Sequence, residues 1–385
     1  MPDRRVEHVV IAGISTRALA ASAARAGYHV MAVDAFGDLD LRRTADVLSS
    51  RSAEGAAFKP GTAAIAADQT PGGMACYTSN FENYPAAVDR LARGRTLLGN
   101  PAPILTRVRD PLLLMHTLRQ LGFSVPKTRS SVPPRRSARG AWLIKPRRSG
   151  GGHGTRVWRP DQPLPRSYYI QQRLAGVPGS ILFAADGQDA VVLGVSRQIV
   201  GDRNMGAKGF RYCGSLLGPP AALFPDQPAL ADVACRLASA VAKAFAVRGL
   251  NGIDFIAEGG VPCPIEVNPR YSASMELLEH HRALSIFEVH EQACRGALPK
   301  PVKSAGVQGK AVVFARRNVV MGDTREWLED MSVADIPQPG EKILRGRPIC
   351  TVFAGGDDAD CCYASLVSRA AAVYRATEST KRSAA

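Results

Sequence analysis

Three polar residues stand out in the run Asn251-Gly252-Ile253-Asp254-Phe255-Ile256-Ala257-Glu258-Gly259-Gly260-Val261-Pro262-Cys263-Pro264-Ile265-Glu266-Val267-Asn268-Pro269-Arg270. Two strand-like segments flank a pair of glycines, so the run reads as a β-hairpin. Glu266 and Asn268 are two apart and share one face of their strand, while Asp254 lies on the neighbouring strand. Two carboxylates and an amide oxygen suit magnesium, which takes oxygen ligands and completes its shell with water and substrate phosphates. The apolar Ile253, Phe255, Ile265 and Val267 supply the core-facing context. A strict two-residue turn at Gly259-Gly260 would set Glu266 opposite Ile253, on the wrong face. A shared metal therefore needs a three-residue turn from Glu258 to Gly260, or a bulge. Pro262 and Pro264 remove alternate backbone donors, so that side of their strand should be unpaired.

A second stretch, about a hundred residues earlier, runs Trp142-Leu143-Ile144-Lys145-Pro146-Arg147-Arg148-Ser149-Gly150-Gly151-Gly152-His153-Gly154-Thr155-Arg156-Val157. An apolar strand ends in a lysine, a glycine-rich loop follows, and a second strand leaves it. Glycines let backbone N–H groups turn inward to form a concave anion site, and Lys145 adds a point charge for a phosphate. The spacing is not GxxxxGK[ST] and no helix follows, so this is a hairpin flap over phosphates rather than a Walker loop. A lone loop histidine such as His153 more often faces solvent. Glu276, Glu279, His280 and His281 have the residue types of a metal set, with 276 and 280 on one helix face, but read better as a polar helix surface.

The elements around these stretches alternate. Val9–Ala12 is an apolar strand, residues 16–26 favour helix, and His29–Asp34 is a second strand, which is a βαβ opening and implies a parallel sheet. The first turn, Gly13-Ile14-Ser15-Thr16-Arg17, lacks the GxGxxG spacing of a dinucleotide site, and Asp34 reads as a turn residue at the strand end. Asp110-Pro111 caps a helix over 111–121. Residues 129–141, rich in Arg, Ser and Pro, read as a surface loop. Strand-like segments dominate 142–215, helix returns at 229–247 and again over 275–295, and 305–365 is strand-like. The end of the chain, from Thr377, reads as frayed.

The chain has 385 residues, 45% hydrophobic and 22% charged, enough for two or three domains of a soluble enzyme. Its net charge of +15 favours anionic ligands. The densest basic stretch, Arg135, Arg136, Arg139, Lys145, Arg147 and Arg148, lacks interleaved aromatics, which argues against nucleic acid as partner. The eight cysteines include no CxxC pair, which argues against zinc and fits a reduced, cytoplasmic setting. No apolar run is long enough for a signal segment or a membrane span.

In order and motif, the flap followed by the hairpin resembles the ATP-grasp superfamily, which includes D-alanine–D-alanine ligase, biotin carboxylase and carboxyaminoimidazole ribonucleotide synthetase. There, too, a lysine ends the strand before the glycine loop, and the metal hairpin carries an acid and then E-x-N, as Asp254, Glu266 and Asn268 do. Glu266–Arg270, EVNPR, is similar to the carboxylase-related branch, and so is the stretch from Gly340 to Phe353. The resemblance implies an α/β architecture in three parts: a Rossmann-like parallel-sheet domain at 1–98, an ATP-grasp domain of two α+β subdomains at 99–300, and a small β-rich domain at 301–385. It implies that ATP and Mg2+ (or Mn2+) bind to Lys145, Ser149, Gly150, Gly151, Gly152, His153, Gly154 and the hinge Gln171, Gln172, Arg173 and Leu174. Backbone groups near Gln172 and Leu174 would meet the adenine. Arg270 would join Lys145 in catalysis by facing the transferring phosphoryl group, and Lys208 and Arg211 would orient the acid. Arg107 or Arg109 would stand in for a lysine the family often carries before the first grasp helix. Val177-Pro178-Gly179-Ser180 lacks the family's ribose-binding carboxylate. The activity implied is an ADP-forming carboxylate–amine ligase working through an acyl phosphate, in cofactor biosynthesis with an amino acid such as glutamate. A bicarbonate-dependent carboxylase and a non-catalytic ATP-binding protein are the alternatives. The partners implied are small carboxylates and amines, without membrane, and a homodimer by family habit.

Overall fold

The computed structural model describes residues 7–49, 58–132, 141–160, 163–258, 261–282, 284–301 and 306–379. The basic loop through Arg135, Arg136 and Arg139 and the hairpin turn at Gly259-Gly260 lie outside these residues, as does the side chain of His281.

The first five strands, β1 (His8–Ala12), β2 (His29–Asp34), β3 (Asp46–Ser49), β4 (Gly73–Tyr77) and β5 (Arg95–Leu98), form a parallel sheet in the order β3-β2-β1-β4-β5. Asp34 is buried at the end of β2 and accepts from the Thr16 amide (2.7 Å) and hydroxyl (2.8 Å) and from the amides of Phe36 (2.7 Å) and Gly37 (2.8 Å). Its oxygens are occupied by the turns they brace, as a strand-end residue requires.

Four short strands, β6 (Thr128–Arg129), β7 (Trp142–Pro146), β8 (Arg156–Val157) and β9 (Tyr168–Gln172), make a separate antiparallel sheet, with the glycine loop between β7 and β8. Helix Pro111–Gln120 precedes it, and the Asp110 carboxylate caps that helix by accepting from the amides of Leu112 and Leu113.

The main sheet has eight strands: β10 (Val177–Asp186), β11 (Ala190–Val200), β12 (Tyr212–Gly218), β13 (Arg248–Glu258), β14 (Val261–Asn268), β15 (Val307–Phe314), β17 (Val333–Ala334) and β19 (Pro348–Gly356). The remaining pair, β16 (Val319–Val320) and β18 (Lys342–Ile343), stands apart. The strands on either side of residue 300 thus belong to one sheet, since β15 pairs with β12.

Alternation along these strands sorts the sheet into two unlike faces. Ile181, Phe183, Val195, Ile253, Phe255 and Val352 pack on the side of helix Leu230–Phe245, whose buried residues recur every three or four positions. The opposite face carries a polar row. Glu266, Asp254, Ser180 and Ser196 are successive cross-strand neighbours, and so, beside them, are Gln198, Ser215 and Lys310.

Two expected elements differ. The helix expected over 275–295 is two, Glu276–Arg282 and Ile286–Cys294, the second capped by the Ser285 hydroxyl. The stretch expected to be strand-like to residue 365 gives way to a 21-residue helix, Ala359–Ser379, which lays Cys362, Leu366, Ala370 and Val373 against the main sheet, and residues 380–385 of the end expected to fray lie outside the described residues.

The row beginning at Glu276 is only partly the solvent-facing surface expected: His280 is exposed, but Glu276 is not. Glu276 is 3% exposed and bonded to Arg17 of the first helix and Lys310 of β15. Asp335 adds a 3.0 Å contact to Arg17, and Glu279 accepts from Ser22 at 2.8 Å. Burial opposes the charge on Glu276, but the two cations outweigh it and hold its carboxyl well below the usual range. His280 instead stacks on Phe353, with ring centroids 4.5 Å apart. The network ties the parallel sheet to the main sheet; Glu276→Ala should leave the buried Lys310 without its acid, while Arg17 keeps Asp335 and Asp40, and cost about 3–5 kcal/mol. A urea titration reads this as a large fall in midpoint, and an unchanged midpoint would contradict it.

Candidate active site

Between Glu258↔Val261 and Phe255↔Pro264 the hairpin keeps the register of a two-residue turn; it then shifts, and Asp254 faces Glu266. Ile265 is the extra residue, a β-bulge. Of the two devices that could set both carboxylates on one face, the chain uses the bulge. β14 is an edge strand, where Pro262 and Pro264 are tolerated.

The bulge also frees a carbonyl. Ile265 O accepts from Gln171 Nε2 at 3.2 Å, and Gln171 Oε1 accepts from Lys145 Nζ at 3.1 Å. One buried amide side chain thus links the lysine of β7 to the carboxylate hairpin. Burial works against the charge on Lys145, but Tyr169, Glu266 and Asp254 outweigh it and raise its pKa.

The two acids respond in opposite ways. Burial, then the charge of Glu266, push Asp254 up to about 7. Burial also disfavours charge on Glu266, but Lys145 and Arg109 hold it below the ordinary value. Without a cation the pair therefore keeps its proton on Asp254. That carboxyl receives Gln198 Nε2 at 3.1 Å and Asn268 Nδ2 at 3.0 Å. The oxygen of Asn268 faces Arg270 at 3.3 Å, so ligating a cation beside Asp254 takes a turn of the amide.

Arg270 is 9% exposed and tied to Glu82 at 2.9 Å and to the Tyr271 carbonyl at 3.0 Å. The guanidinium expected at the transferring phosphoryl group is therefore committed to an acid just after β4. Its other terminal nitrogen still touches the Asn268 oxygen, and Arg109 lies at the site with it: Arg109 donates to Val267 O (2.9 Å), to Asn83 Oδ1 (3.0 Å) and to Ser149 O in the glycine loop (3.2 Å). Arg107 points elsewhere, to Ala244 O.

The loop itself is folded down. Tyr212 N donates to Gly151 O at 3.1 Å, and Ser149 Oγ to His153 O at 2.6 Å. Gly150 and Gly154 belong to the same turn, and His153 N donates to Gly150 O. His153 is exposed, and partial burial followed by Arg211 and Arg347 lower its pKa. At the hinge, the amides of Gln172 and Arg173 already donate to Lys127 O (2.7 Å) and Ala141 O (2.8 Å). The Leu174 amide has no partner among the described residues. Lys208 is exposed, and Arg211 lies beside the loop.

Sequence reasoning missed Gln171 as a side-chain link, along with Gln198, Glu82, Asn83 and Asn100. Asn100, after β5, donates to Asn251 Oδ1 and Pro269 O, both at 3.0 Å, and accepts from Arg248 N at 2.7 Å. It fixes both ends of the hairpin to the parallel sheet. Its only sequence signal is an asparagine before a proline, which any turn shares.

Residues 108–274 match the model of the ATP-grasp domain family. The chain carries an ATP-grasp domain. A protein of Methanocaldococcus jannaschii, described as uncharacterized, is 26% identical over 114 residues, 30% of this chain and 28% of that one. Among solved structures, Rhizobium etli pyruvate carboxylase superposes with a TM-score of 0.71 at 14% identity, covering 95% of this chain and 37% of that one. Phosphoribosylamine–glycine ligase of Thermotoga maritima gives 0.66 at 14%, covering 94% and 96%. These two likenesses show a shared fold, found in one protein named a carboxylase and in one named a ligase. No described helix is long and apolar enough to cross a membrane.

Two outcomes follow. With Asp254 raised to about 7, the metal-free folded protein holds an extra proton from about pH 4, where an unfolded aspartate ionises, up to that value. Its contribution to stability is full below this window and is lost as pH rises through 7. Asp254→Asn should remove that loss, so the variant should melt higher than the parent at pH 8 but not at pH 4. Equal melting at both pH values would contradict the assignment. Second, Gly152 has φ +75°, and a Cβ there would lie 1.8 Å from Phe210 O. Gly152→Ala should lift the loop, at about 1–3 kcal/mol of strain, and weaken ATP in calorimetry while lowering the melting temperature by only a few degrees. Unchanged affinity would mean that the closed loop is not what binds.

Proposed function

We propose that the protein is an ADP-forming carboxylate–amine ligase that activates its acid as an acyl phosphate. The observation that carries this reading is the meeting of Lys145, Asp254 and Glu266, linked through Gln171, beside the glycine loop. Asp254 and Glu266, with Asn268 after its amide turns, would hold the magnesium that accompanies ATP, and the donor set of two carboxylates and an amide oxygen fits that ion. When bound, the ion supplies neutralisation of phosphate charge.

The chain's own residues do the rest by positioning. Lys145 and the amides of 149–154 hold the phosphates, and the 171–174 hinge meets the base, with the Leu174 amide free to donate. The carboxylate oxygen attacks the γ-phosphorus and ADP leaves. An amine then attacks the acyl carbon, phosphate departs and the nitrogen gives up a proton. Arg109 and Lys145 offset the charge that develops, and Arg270 joins them only by giving up Glu82. The folded-down loop keeps water from the acyl phosphate. In this reading the chain divides near residue 98 and, within the continuous main sheet, near residue 300, and an amino acid such as glutamate, in cofactor assembly, serves as substrate.

ADP release should require Mg2+, an acid and an amine, and fall to background in Glu266→Ala. A coupled assay over carboxylates, amino acids and amines measures this. Release with bicarbonate alone would favour a carboxylase, and ATP binding without turnover would favour a binding protein.

A further inference from the structure

Beside the glycine loop, three segments meet. Phe314 N donates to Met205 O at 2.8 Å, Ala315 N to Arg347 O at 2.9 Å, and Gly346 N to Ala315 O at 2.7 Å. These bonds bring the loop before β12, the end of β15 and the turn before β19 together, and with them Arg211, Arg347 and Lys208. Arg211 lies under the glycine loop: its neighbour Tyr212 donates to Gly151 O, and Gly152 abuts the carbonyl of Phe210.

Arg211 is held in place. One terminal nitrogen donates to Gly346 O at 2.6 Å, and the guanidinium carbon sits 3.9 Å over the Phe314 ring. Yet its Nε is buried without a partner. Arg347 and Lys208 are exposed, and among the described residues no carboxylate pairs with any of the three. The other charges acting on His153 are Arg211 and Arg347, and burial with Arg347 also lowers the pKa of Arg211. A fixed guanidinium with an unsatisfied buried donor, beside the like charge of Arg347 and next to the glycine loop, is costly unless an anion joins it.

We propose that Arg211, Arg347 and Lys208 form an anion subsite for a second acidic group of the substrate, carboxylate or phosphate, distinct from the carboxylate that is activated. The proposal rests on the ligase reading and deepens it: the substrate carries at least two acidic groups, and its second anchors it beneath the glycine loop.

The test uses the full chain saturated with Mg2+ and the β,γ-imido analogue of ATP, so that the γ-phosphate position is filled. Inorganic phosphate and succinate are titrated separately by calorimetry, with sodium chloride holding ionic strength constant. Both should bind, and the tighter one identifies the group. Arg347→Gln and Arg211→Gln should each weaken binding by about tenfold or more, while Arg93→Gln, on the parallel-sheet domain, should not. Equal binding by all variants, or no binding by the parent, would overturn the subsite. So would a fall in nucleotide affinity in Arg347→Gln matching the fall for phosphate, since the cations would then serve the nucleotide. Repeating the titration without nucleotide separates the two readings: failure of the parent to bind the ATP analogue sinks the ligase reading and leaves the anion measurement to stand on its own.

Discussion

Two carboxylates set opposite each other on one rung of a hairpin repel, and much of the surrounding architecture answers that repulsion. Asp254 and Glu266 face each other because of one extra residue, Ile265. Lys145 and Arg109 favour the charge on Glu266, and Gln198 and Asn268 donate to Asp254. Each of these groups comes from a different part of the chain. The pair is therefore a point where the small antiparallel sheet, the main sheet and the segment after β5 must agree. A cation in place of the proton on Asp254 would relieve the repulsion outright, and this is the ground for proposing a metal position here rather than a structural acid pair.

The main sheet makes this possible by being apolar on one face and polar on the other. Its apolar face is sealed by the helices Leu230–Phe245 and Ala359–Ser379. Its polar row leads from Glu266 and Asp254 past Ser180, Gln198 and Ser215 to Lys310. There the buried Arg17–Glu276–Lys310 contact joins the parallel sheet. The proposed chemistry and the docking of the two sheets thus share one surface.

The sequence made the hairpin readable through spacing alone: Glu266 and Asn268 two apart, and a glycine pair whose simplest turn would place Glu266 wrongly. That conflict required an irregularity, and the bulge is it. The glycine loop after Lys145 and the parallel opening of the chain were legible for similar local reasons. What was hidden depends on distant partners. Arg17 and Glu276 are 259 residues apart, and Glu276 and Lys310 are 34 apart. No local pattern distinguishes a buried Glu276 from a surface one. Gln171 looked like a hinge residue, and only the fold directs its side chain to both Lys145 and Ile265. The break near Arg282 and the C-terminal helix were missed because alanine, serine and charged residues there fit several local structures, and packing on the sheet decides among them.

The most direct test of the account is a crystal structure of the complex with ADP and Mn2+, with the ion located by its anomalous signal. The account predicts one ion within about 2.0–2.4 Å of carboxylate oxygens from both Asp254 and Glu266, also touching nucleotide phosphate, with the Asn268 amide turned toward it. An ion bound elsewhere, or nucleotide bound with the two carboxylates still sharing their proton, would contradict it.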